Sequence, residues 1–424
     1  MSKTKFNTHH GMVDLLPGEI EQWQALESIV RETARLFHFQ EIRTPVLEQT
    51  ELIARGVGQL TDIVSKEMFA FDRGEDRYVL RPEGTAPVAR AYVQNHLAQR
   101  GGTQRLFYIG PFFRAERPQK GRQRQFHQFG AELIGASSAI ADAEIIAFMQ
   151  TVYNRVGITN TSLKLNSVGD PESRDAYRKA LYNYFQPISG KLSEISRKRL
   201  ETNPMRILDS KEEEDQPLKI DAPKIFDYLS NRSKEHFNAV TDHLERLHIS
   251  YVLDPFLVRG LDYYTETAFE LTSPDLGSQD ALGGGGRYDL LIEDVGGPPT
   301  PAVGFACGME RLMIACDALG ITMADPPGPD IYFVTRGEAA ARWALEFMPD
   351  LRTNGLVCTM DYSGRSLKAQ MKDANRQQAR YTVIVGEQEL EKNRITLRNM
   401  EKSEETTVHP EELAGSVTAI QKSR

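Results

Sequence analysis

The sequence has few cysteines and no long apolar run. Its 424 residues include three cysteines, and none of them has the Cys-x-x-Cys spacing of a zinc site. This scarcity argues against a disulfide scaffold and predicts a reducing compartment, the cytoplasm. No apolar stretch approaches the roughly 18 residues of a membrane-spanning helix, and the basic start is not followed by the apolar segment of a signal peptide. We therefore expect a protein with no membrane partner.

Motifs of several common enzyme classes are also missing. The chain has no His-Glu-x-x-His, no Gly-x-Ser-x-Gly and no Gly-Lys-Ser/Thr after a glycine run, which argues against zinc proteases, serine hydrolases and P-loop proteins. What is present is an ordinary globular composition, 40% apolar and 26% charged, with a net charge of -8. The length predicts two or three domains. The acidic balance does not favour nucleic-acid binding, although a local basic patch can provide it.

One segment is strongly basic. It lies between two strand-like segments, 106–113 and 126–134, which we expect to pair as a hairpin. By itself such a run is more often a solvated loop. Beside a pocket, however, guanidinium groups suit an anionic substrate because they match phosphate bidentately. The basic residues of this segment are Arg114, Arg117, Lys120, Arg122 and Arg124, against one acid, Glu116.

The second strand of this hairpin has one apolar and one polar face. Apolar residues occupy positions 129, 131 and 133, whereas Gln128, Gly130 and Glu132 share the other side. A polar stripe with a gap at the glycine indicates a pocket floor in a central strand. An edge strand with one solvated face explains the alternation equally well.

Three further segments combine charged groups with backbone freedom. Residues 81–85 (Arg-Pro-Glu-Gly-Thr) place a carboxylate and a hydroxyl in a turn after a strand. Residues 259–264 (Arg-Gly-Leu-Asp-Tyr-Tyr) put an arginine at a glycine break before paired tyrosines, and residues 283–286 are four glycines that allow close backbone approach. Taken singly, each is more often a turn than a binding site.

In combination these segments resemble the histidyl-tRNA synthetase family of class II aminoacyl-tRNA synthetases. The three class motifs are matched by residues 39–48, 113–128 and 301–312, and the histidine-specific signatures by residues 259–264 and 284–289. The resemblance also includes residues 61–68 and covers essentially the whole chain. It departs near the start, where His10 precedes Gly11 in place of the family's usual basic residue, and Met12 follows it in place of a small polar one.

The resemblance implies an α+β fold, a class II synthetase-like antiparallel sheet flanked by helices. We expect a catalytic domain over residues 1–325, with an inserted helical segment at about 171–235 whose charge run is a solvated face. The proline-rich residues 326–329 are predicted to form a linker. Residues 330–424 follow with a βαβαβ alternation, which predicts a C-terminal α/β domain that resembles the anticodon-binding module. The first helix is predicted over residues 17–37.

The resemblance also implies a reaction. L-Histidine and ATP form histidyl-adenylate and pyrophosphate, and the histidyl group then passes to the 3′ end of tRNA(His). The first step brings a carboxylate against the α-phosphate, so fixed cations can catalyse it without a protein nucleophile. Mg²⁺ is expected to share the phosphate charge, with no dedicated metal site of protein ligands. Motif one builds the dimer contact in this class of enzymes, so the resemblance also implies a homodimer.

Residue roles follow from the same resemblance. Glu83 and Thr85 suit the α-ammonium group, and a carboxylate with a phenol, Glu132 and Tyr264, suits the two edges of an imidazole. The expected catalytic residues are Arg259 and Arg114. The expected histidine-binding residues are Glu83, Gly84, Thr85, Arg114, Gln128, Glu132, Arg259, Tyr263 and Tyr264. ATP is expected to contact Arg114, Glu116, Phe126 and Arg311, and tRNA to contact Arg117, Gln119, Lys120, Arg122 and Arg124. In the C-terminal domain Lys368, Lys372 and Arg376 either face the anticodon or form an ordinary exposed helix face.

A second function stays open at this point. A catalytically inactive relative of these enzymes serves as the histidine-sensing regulatory subunit of ATP phosphoribosyltransferase. That relative typically lacks the C-terminal domain and has a degraded 259–264 element. Both features are intact in this sequence, which favours the enzyme.

Overall fold

The computed structural model describes residues 6–58, 61–276, 280–324, 326 and 328–413. The chain forms two compact units, residues 1–324 and 325–424. Of the predicted linker, residue 327 lies outside the described residues, as do residues 414–424 of the predicted C-terminal domain.

The strands of the described residues are β1 (Gln40–Glu41), β2 (Leu47–Gln49), β3 (Phe69–Arg73), β4 (Asp76–Leu80), β5 (Gln104–Phe113), β6 (Gln125–Ile134), β7 (Ser162–Ser167), β8 (Val252–Leu253), β9 (Thr265–Thr272), β10 (Ala281–Arg287), β11 (Ala302–Gly308), β12 (Ile331–Arg336), β13 (Cys358–Met360), β14 (Tyr381–Gly386), β15 (Ile395–Asn399) and β16 (Glu405–Val408). The α-helices are α1 (Ile20–Leu36), α2 (Thr50–Val57), α3 (Thr85–Gln94), α4 (Ala139–Val156), α5 (Pro171–Phe185), α6 (Glu194–Thr202), α7 (Met205–Leu208), α8 (Gln216–Lys219), α9 (Asn231–Arg246), α10 (Leu291–Asp294), α11 (Met309–Leu319), α12 (Glu338–Thr353), α13 (Leu367–Arg376) and α14 (Glu387–Glu391).

The first unit is built on an eight-stranded sheet in the order β1-β5-β6-β11-β10-β9-β7-β8. Pairing is antiparallel from β5 through to β7 and parallel at both edges. The predicted antiparallel sheet and the β5–β6 hairpin are therefore confirmed. Since β6 lies between β5 and β11, the edge-strand alternative for its alternating pattern is wrong.

The apolar face of this sheet carries the main core. Phe129, Ala131 and Leu133 of β6 pack there with buried side chains of α1 and α4, among them Leu26 and Phe148. Since successive residues of a strand point to opposite sides, Gln128, Gly130 and Glu132 face the other way, as predicted. A separate three-stranded sheet, β2-β4-β3, leads into α3.

Helix α1 begins three residues later than predicted. We expected Pro17 at its first position, but residues 16–19 form a turn in which the backbone N–H groups of Glu19 and Ile20 both donate to the carbonyl of Leu16. Gly18 has a φ of +100° in this turn, which is outside the helical region. The helix can therefore begin only after it, at Ile20, and it ends at Leu36.

The sequence has strand signals from about residue 251 to residue 271, and the strand that they predict is wrong in its first half. Only β8 and β9 are strands, and residues 254–264 form a loop, because Pro255 cannot donate a ladder hydrogen bond and Gly260 favours a break. Conversely, the glycine run, read singly as a turn, is strand β10, which pairs on both sides along its length.

Helices α5 to α9 follow β7, in the region of the expected insertion. The charge run at 211–215 is only partly the solvated face that we expected. Residues 211–214 are exposed, but Asp215 is buried and accepts hydrogen bonds from the hydroxyls of Ser193, Ser196 and Ser210. This carboxylate joins α6 to the loop before α8.

The second unit has the order β13-β12-β14-β15-β16. The first three strands are parallel, as the βαβαβ alternation predicts, and they pack with α12 around a core that contains Phe333, Met348 and Val383. Strands β15 and β16 continue the sheet in antiparallel pairing. The sequence reading missed both, since their segment is polar and charge-dense.

Candidate active site

A cleft of about 830 Å³ opens on the polar side of the central strands. It is lined by the β5–β6 hairpin, the start of α3, the 254–264 loop, strands β9 to β11, the start of α11 and part of the helical segment. The predicted site residues that line it are Glu83, Thr85, Arg114, Glu116, Arg122, Phe126, Gln128, Arg259, Tyr263, Tyr264 and Arg311. The predicted residues that do not line it are Gly84, Glu132, Arg117, Gln119, Lys120 and Arg124.

Glu83 stands where the chain turns from β4 into α3. Its carboxylate oxygens accept hydrogen bonds from the backbone N–H of Thr85 at 2.7 Å and of Ala86 at 2.8 Å. These are among the unpaired donors of the first helical turn. Burial raises the pKa of Glu83, while these hydrogen bonds and the charge of Arg114 oppose the rise. The acidic group is therefore fixed in place at the cleft wall.

Glu132 lies directly behind that wall and is fully buried. Its carboxylate accepts hydrogen bonds from the hydroxyls of Thr85 (2.8 Å), Tyr288 and, at 3.5 Å, Tyr108. Burial raises its pKa to about 8, although the hydrogen bonds from Tyr288 and Thr85 lower it. Thr85, which lines the cleft, thus links Glu132 to the cavity.

The expected gap above Gly130 is filled. A Cβ at Gly130 would lie 2.5 Å from the Tyr108 hydroxyl, and a Cβ at Gly84 would lie 2.3 Å from the Tyr108 ring. The two glycines therefore make room for a phenol that reaches Glu132. Our interpretation of Gly130 as an open pocket floor was wrong, because Tyr108 on the neighbouring strand occupies that space.

The glycine run gives the cleft a flat floor. A Cβ at Gly284 would lie 2.9 Å from Nη1 of Arg259, and a Cβ at Gly286 would lie 2.8 Å from the ring of Tyr264. These glycines therefore allow the signature side chains to lie against the strand itself. The prediction of close approach at this run is confirmed, although the approaching groups are side chains of the same chain.

Five arginines line the cleft, and three of them, Arg114, Arg259 and Arg311, come from different elements. Arg114, just after β5, donates from Nε to the carbonyl of Pro82 at 3.0 Å, and its guanidinium lies 5.2 Å from the ring centre of Phe126. Arg259 belongs to the 254–264 loop. Arg311, in α11, donates to the carbonyl of Ala281 at 2.8 Å. Burial and then the neighbouring Arg122 lower the pKa of Arg311, as expected where cations crowd together, so an anion would be stabilised here.

The side-chain oxygen of Gln128 has no hydrogen-bond partner among the described residues. The residue lines the cleft, and its Oε1 is buried. A buried polar atom in that condition costs free energy, about 1–3 kcal/mol. Because this oxygen is closed to solvent, a donor in the cleft would reach it only after the side chain turned.

The sequence reading missed several residues of the site. Tyr288 was quoted as part of a motif but given no role, and the carboxylate of Glu270 was not considered at all. Glu310 accepts from the backbone N–H of His127 at 2.8 Å, which ties α11 to β6. The signal for Glu310 was its place beside Arg311 in motif three, whereas nothing in the local pattern marked Glu270.

Two classes of feature are not found in the part of the chain that the structure describes. None of its helices has the length and apolar character needed to cross a membrane. No group of three or more histidine, cysteine or acidic side chains is arranged to hold a metal ion within those same residues.

An antiparallel sheet whose polar face gathers arginines from a strand hairpin, a loop and a helix is the catalytic architecture of a class II aminoacyl-tRNA synthetase. A profile described as "Histidyl-tRNA synthetase" matches residues 11–312, and one described as "Anticodon binding domain" matches residues 330–420. The chain belongs to the histidyl-tRNA synthetase family.

Individual relatives agree with this assignment. A histidine–tRNA ligase of Desulforamulus reducens is 47% identical over 404 residues, which cover 95% of this chain and 96% of that protein. The apo histidyl-tRNA synthetase of S. aureus has a crystal structure that matches with a TM-score of 0.82 at 37% identity, over 97% of this chain and 99% of that one. A Bacillus halodurans structure, described as an ATP phosphoribosyltransferase regulatory subunit/histidyl-tRNA synthetase, matches with a TM-score of 0.65 at 25% identity, over 91% of this chain and 99% of that one.

The protein is accordingly an enzyme, a histidine–tRNA ligase, and as a class II synthetase it uses ATP. The regulatory-subunit alternative is disfavoured, because the D. reducens ligase is far more similar to this chain than the structure whose description mentions that subunit.

Proposed function

We propose that the cleft described above activates L-histidine with ATP and passes the histidyl group to the 3′ end of tRNA(His). One observation carries this proposal. The same cleft is lined by three arginines suited to phosphate, Arg114, Arg259 and Arg311, and by Thr85, whose hydroxyl donates to the buried Glu132 carboxylate behind the wall. That carboxylate and the hydroxyl groups around it are suited to an imidazole.

The inner wall would bind histidine. Glu83 and Thr85 would accept from the α-ammonium group, and the side-chain amide N–H of Gln128 would donate to the α-carboxylate. The imidazole ring would lie against Tyr263 and Tyr264. Its donor and acceptor nitrogens would pair with Glu132, reached past the Thr85 hydroxyl, and with the Tyr264 phenol. Gly84 would contribute by admitting Tyr108 behind the pocket.

The arginines would bind ATP. Attack of the histidine carboxylate on the α-phosphate joins two anions, so the barrier falls when fixed cations surround the transferring group. Arg114 and Arg259 would approach the α-phosphate from two sides, and Arg311 would hold the outer phosphates or the adenine. Phe126 would stack on the base, whose arrival would displace the Arg114 guanidinium now above that ring.

The chain's own residues fit an ATP-bound Mg²⁺. Mg²⁺ usually keeps several waters and is held mainly by substrate phosphates, with one or two carboxylates. Glu116 and Glu310 line the cleft and would supply such oxygens. Glu116 would do so alongside its hydrogen bond from Arg122, and Glu310 alongside its hydrogen bond from the His127 backbone N–H. When bound, the ion would share the phosphate charge.

The basic hairpin loop would receive the acceptor end of tRNA. Residues 119 and 122 exchange backbone hydrogen bonds, which shape the tip of the loop. Arg122 lines the cleft, and its neighbours Arg117, Gln119, Lys120 and Arg124 would contact the RNA outside it. The C-terminal unit, which matches the anticodon-binding profile, would read the other end of tRNA.

The remaining expectations belong to the same proposal. The catalytic domain would comprise residues 1–325 with the insertion at about 171–235, joined by the linker 326–329 to an anticodon-binding domain over residues 330–424. The protein would act as a homodimer in the cytoplasm, with no dedicated protein-ligand metal site.

The decisive experiment is ATP–pyrophosphate exchange without tRNA, run with each of the twenty amino acids in turn. We expect exchange with histidine alone, because the imidazole pocket would reject other side chains. Absence of exchange with every amino acid, together with histidine binding in calorimetry, would contradict the proposed activation and favour a histidine-sensing regulatory subunit.

A further inference from the structure

Glu270 forms an ion pair on the floor of the cleft. Its Oε2 accepts a hydrogen bond from Nη1 of Arg259 at 2.6 Å, and both side chains are about one-fifth exposed (23% and 20%). Both residues line the cavity. The pair therefore lies at the surface where substrates would arrive and not in the hydrophobic core.

The two partners lie on different kinds of element, an inner strand and a loop. Glu270 is on β9, an inner strand, where it pairs with Gly284 of β10 on one side and Lys164 of β7 on the other. Arg259 belongs to a loop without regular structure and precedes Gly260. The loop backbone is held beside Arg259, because the carbonyls of Leu257 and Gly260 accept hydrogen bonds from Asn166 and Arg206. What Glu270 adds is a strand-borne acceptor for the guanidinium at the end of the side chain.

The surroundings leave Arg259 few other means of orientation. Its Nε is buried with no hydrogen-bond partner among the described residues, and below it Gly284 offers no side chain. Although burial lowers the pKa of Arg259, the Tyr264 phenol, the Glu270 carboxylate and the Tyr263 phenol together raise it. Removal of Glu270 would leave a long side chain with many rotamers.

We propose that Glu270 is a positioning residue for the activation step, which from a rigid strand holds the Arg259 guanidinium in the direction of the α-phosphate. The inference rests on the proposed role of Arg259. Catalysis of this type requires preorganised charge. If the cation must first be ordered, the free-energy cost of ordering it is added to the activation barrier.

A purely structural role is a poor explanation of the pair. The pair opens on the solvent of the cleft, so it is partly screened and its contribution to stability is smaller than that of a fully buried pair. We therefore expect the thermal midpoint of Glu270→Ala to stay close to that of the wild type, while its exchange rate falls.

The test is a double-mutant cycle in histidine-dependent ATP–pyrophosphate exchange with the full-length protein. Glu270→Ala should lower the maximal rate at least tenfold with the KM for histidine within twofold. Glu270→Gln, whose amide oxygen still accepts from Nη1, should recover most of that loss. In the Arg259→Ala background, Glu270→Ala should change the rate by less than threefold. Asp242→Ala, which removes the carboxylate of an exposed ion pair on α9, is the matched control.

Several outcomes would overturn the inference. One is an equal loss from Glu270→Ala with and without Arg259, and another is recovery of the Glu270→Ala rate by excess Mg²⁺, which would identify an ion ligand. A wild-type rate in Glu270→Ala, with a slow Arg259→Ala, would refute the positioning role alone. A wild-type rate in Arg259→Ala would instead refute the proposed role of Arg259 itself.

Discussion

Among single residues, Glu132 has the most unusual surroundings. Its carboxyl group is fully buried, and the groups that hold it are hydroxyls, which can donate to a carboxylate or accept from a carboxylic acid. Burial raises its pKa from an ordinary 4.5 to about 8, so the proton is largely retained near neutral pH. The residue proposed to recognise imidazole can therefore serve as donor or acceptor according to pH.

This raised pKa predicts a pH dependence of stability. Between pH 4.5 and about 8 the folded protein binds more protons than the unfolded chain at this site. The contribution of Glu132 to the free energy of unfolding is therefore complete below pH 4.5 and is lost as the pH rises through about 8. We expect the stability of the wild type relative to Glu132→Gln, measured by urea unfolding, to decline from about pH 5 to about pH 8. A difference that stays constant with pH would contradict the buried carboxyl.

Individual residues also show which parts of the site could be predicted from the sequence and which could not. Arg114, Gln128 and Arg259 could be found because their motifs are specific, and the structure brings them to one cleft. The occupation of the space above Gly130 by Tyr108 could not be found, because it depends on which residues oppose each other across a hairpin. Glu270 was missed because its contact also depends on the three-dimensional path of the chain. Its partner is eleven positions away on a loop whose path no local pattern predicts.

At the level of elements, periodicity predicted what is regular and failed where the backbone departs from it. The β5–β6 hairpin follows from the strand-like pattern of its two segments. The parallel strands of the second unit follow from the alternation of strand and helix segments along the chain. The start of α1 was misplaced because Gly18 adopts a positive φ, which no pattern of apolar residues reveals. Strand β10 was read as a turn because glycine disfavours strands on average, although here it gives room to Arg259 and Tyr264.

Strand β10 allows a prediction at this scale. In Gly284→Ala the new methyl group would lie 2.6 Å from the carbonyl oxygen of Phe269 and 2.9 Å from Nη1 of Arg259. Such overpacking should cost about 1–3 kcal/mol of stability and displace the arginine. We expect ATP–pyrophosphate exchange to slow at least tenfold at temperatures where circular dichroism shows the variant folded. Gly190→Ala, where a methyl group meets nothing within 4 Å, should match the wild type in both assays, and equal rates in the two variants would contradict the role of the strand.

For the whole molecule, the question is how a chain of net charge -8 binds a polyanion. The proposed answer is local, since the hairpin loop concentrates five basic residues within residues 114–124. Long-range repulsion from the acidic remainder is screened beyond about 8 Å at physiological salt. Binding of tRNA should therefore depend on contacts between this loop and phosphates, and much less on the overall charge.

That answer predicts how tRNA affinity responds to salt. Each phosphate that a basic side chain neutralises releases counterions, so the slope of log affinity against log salt becomes shallower by about 0.7–0.9 for each such side chain that is removed. We expect Arg117→Ala combined with Lys120→Ala to weaken tRNA(His) binding and to reduce that slope by about 1.5, as measured by filter binding over a range of salt concentrations. Arg246→Ala, which removes an exposed cation on α9, should leave the slope unchanged. If the loop variant kept the wild-type slope, tRNA would be held elsewhere, and the proposed contact between this loop and the acceptor end would be wrong.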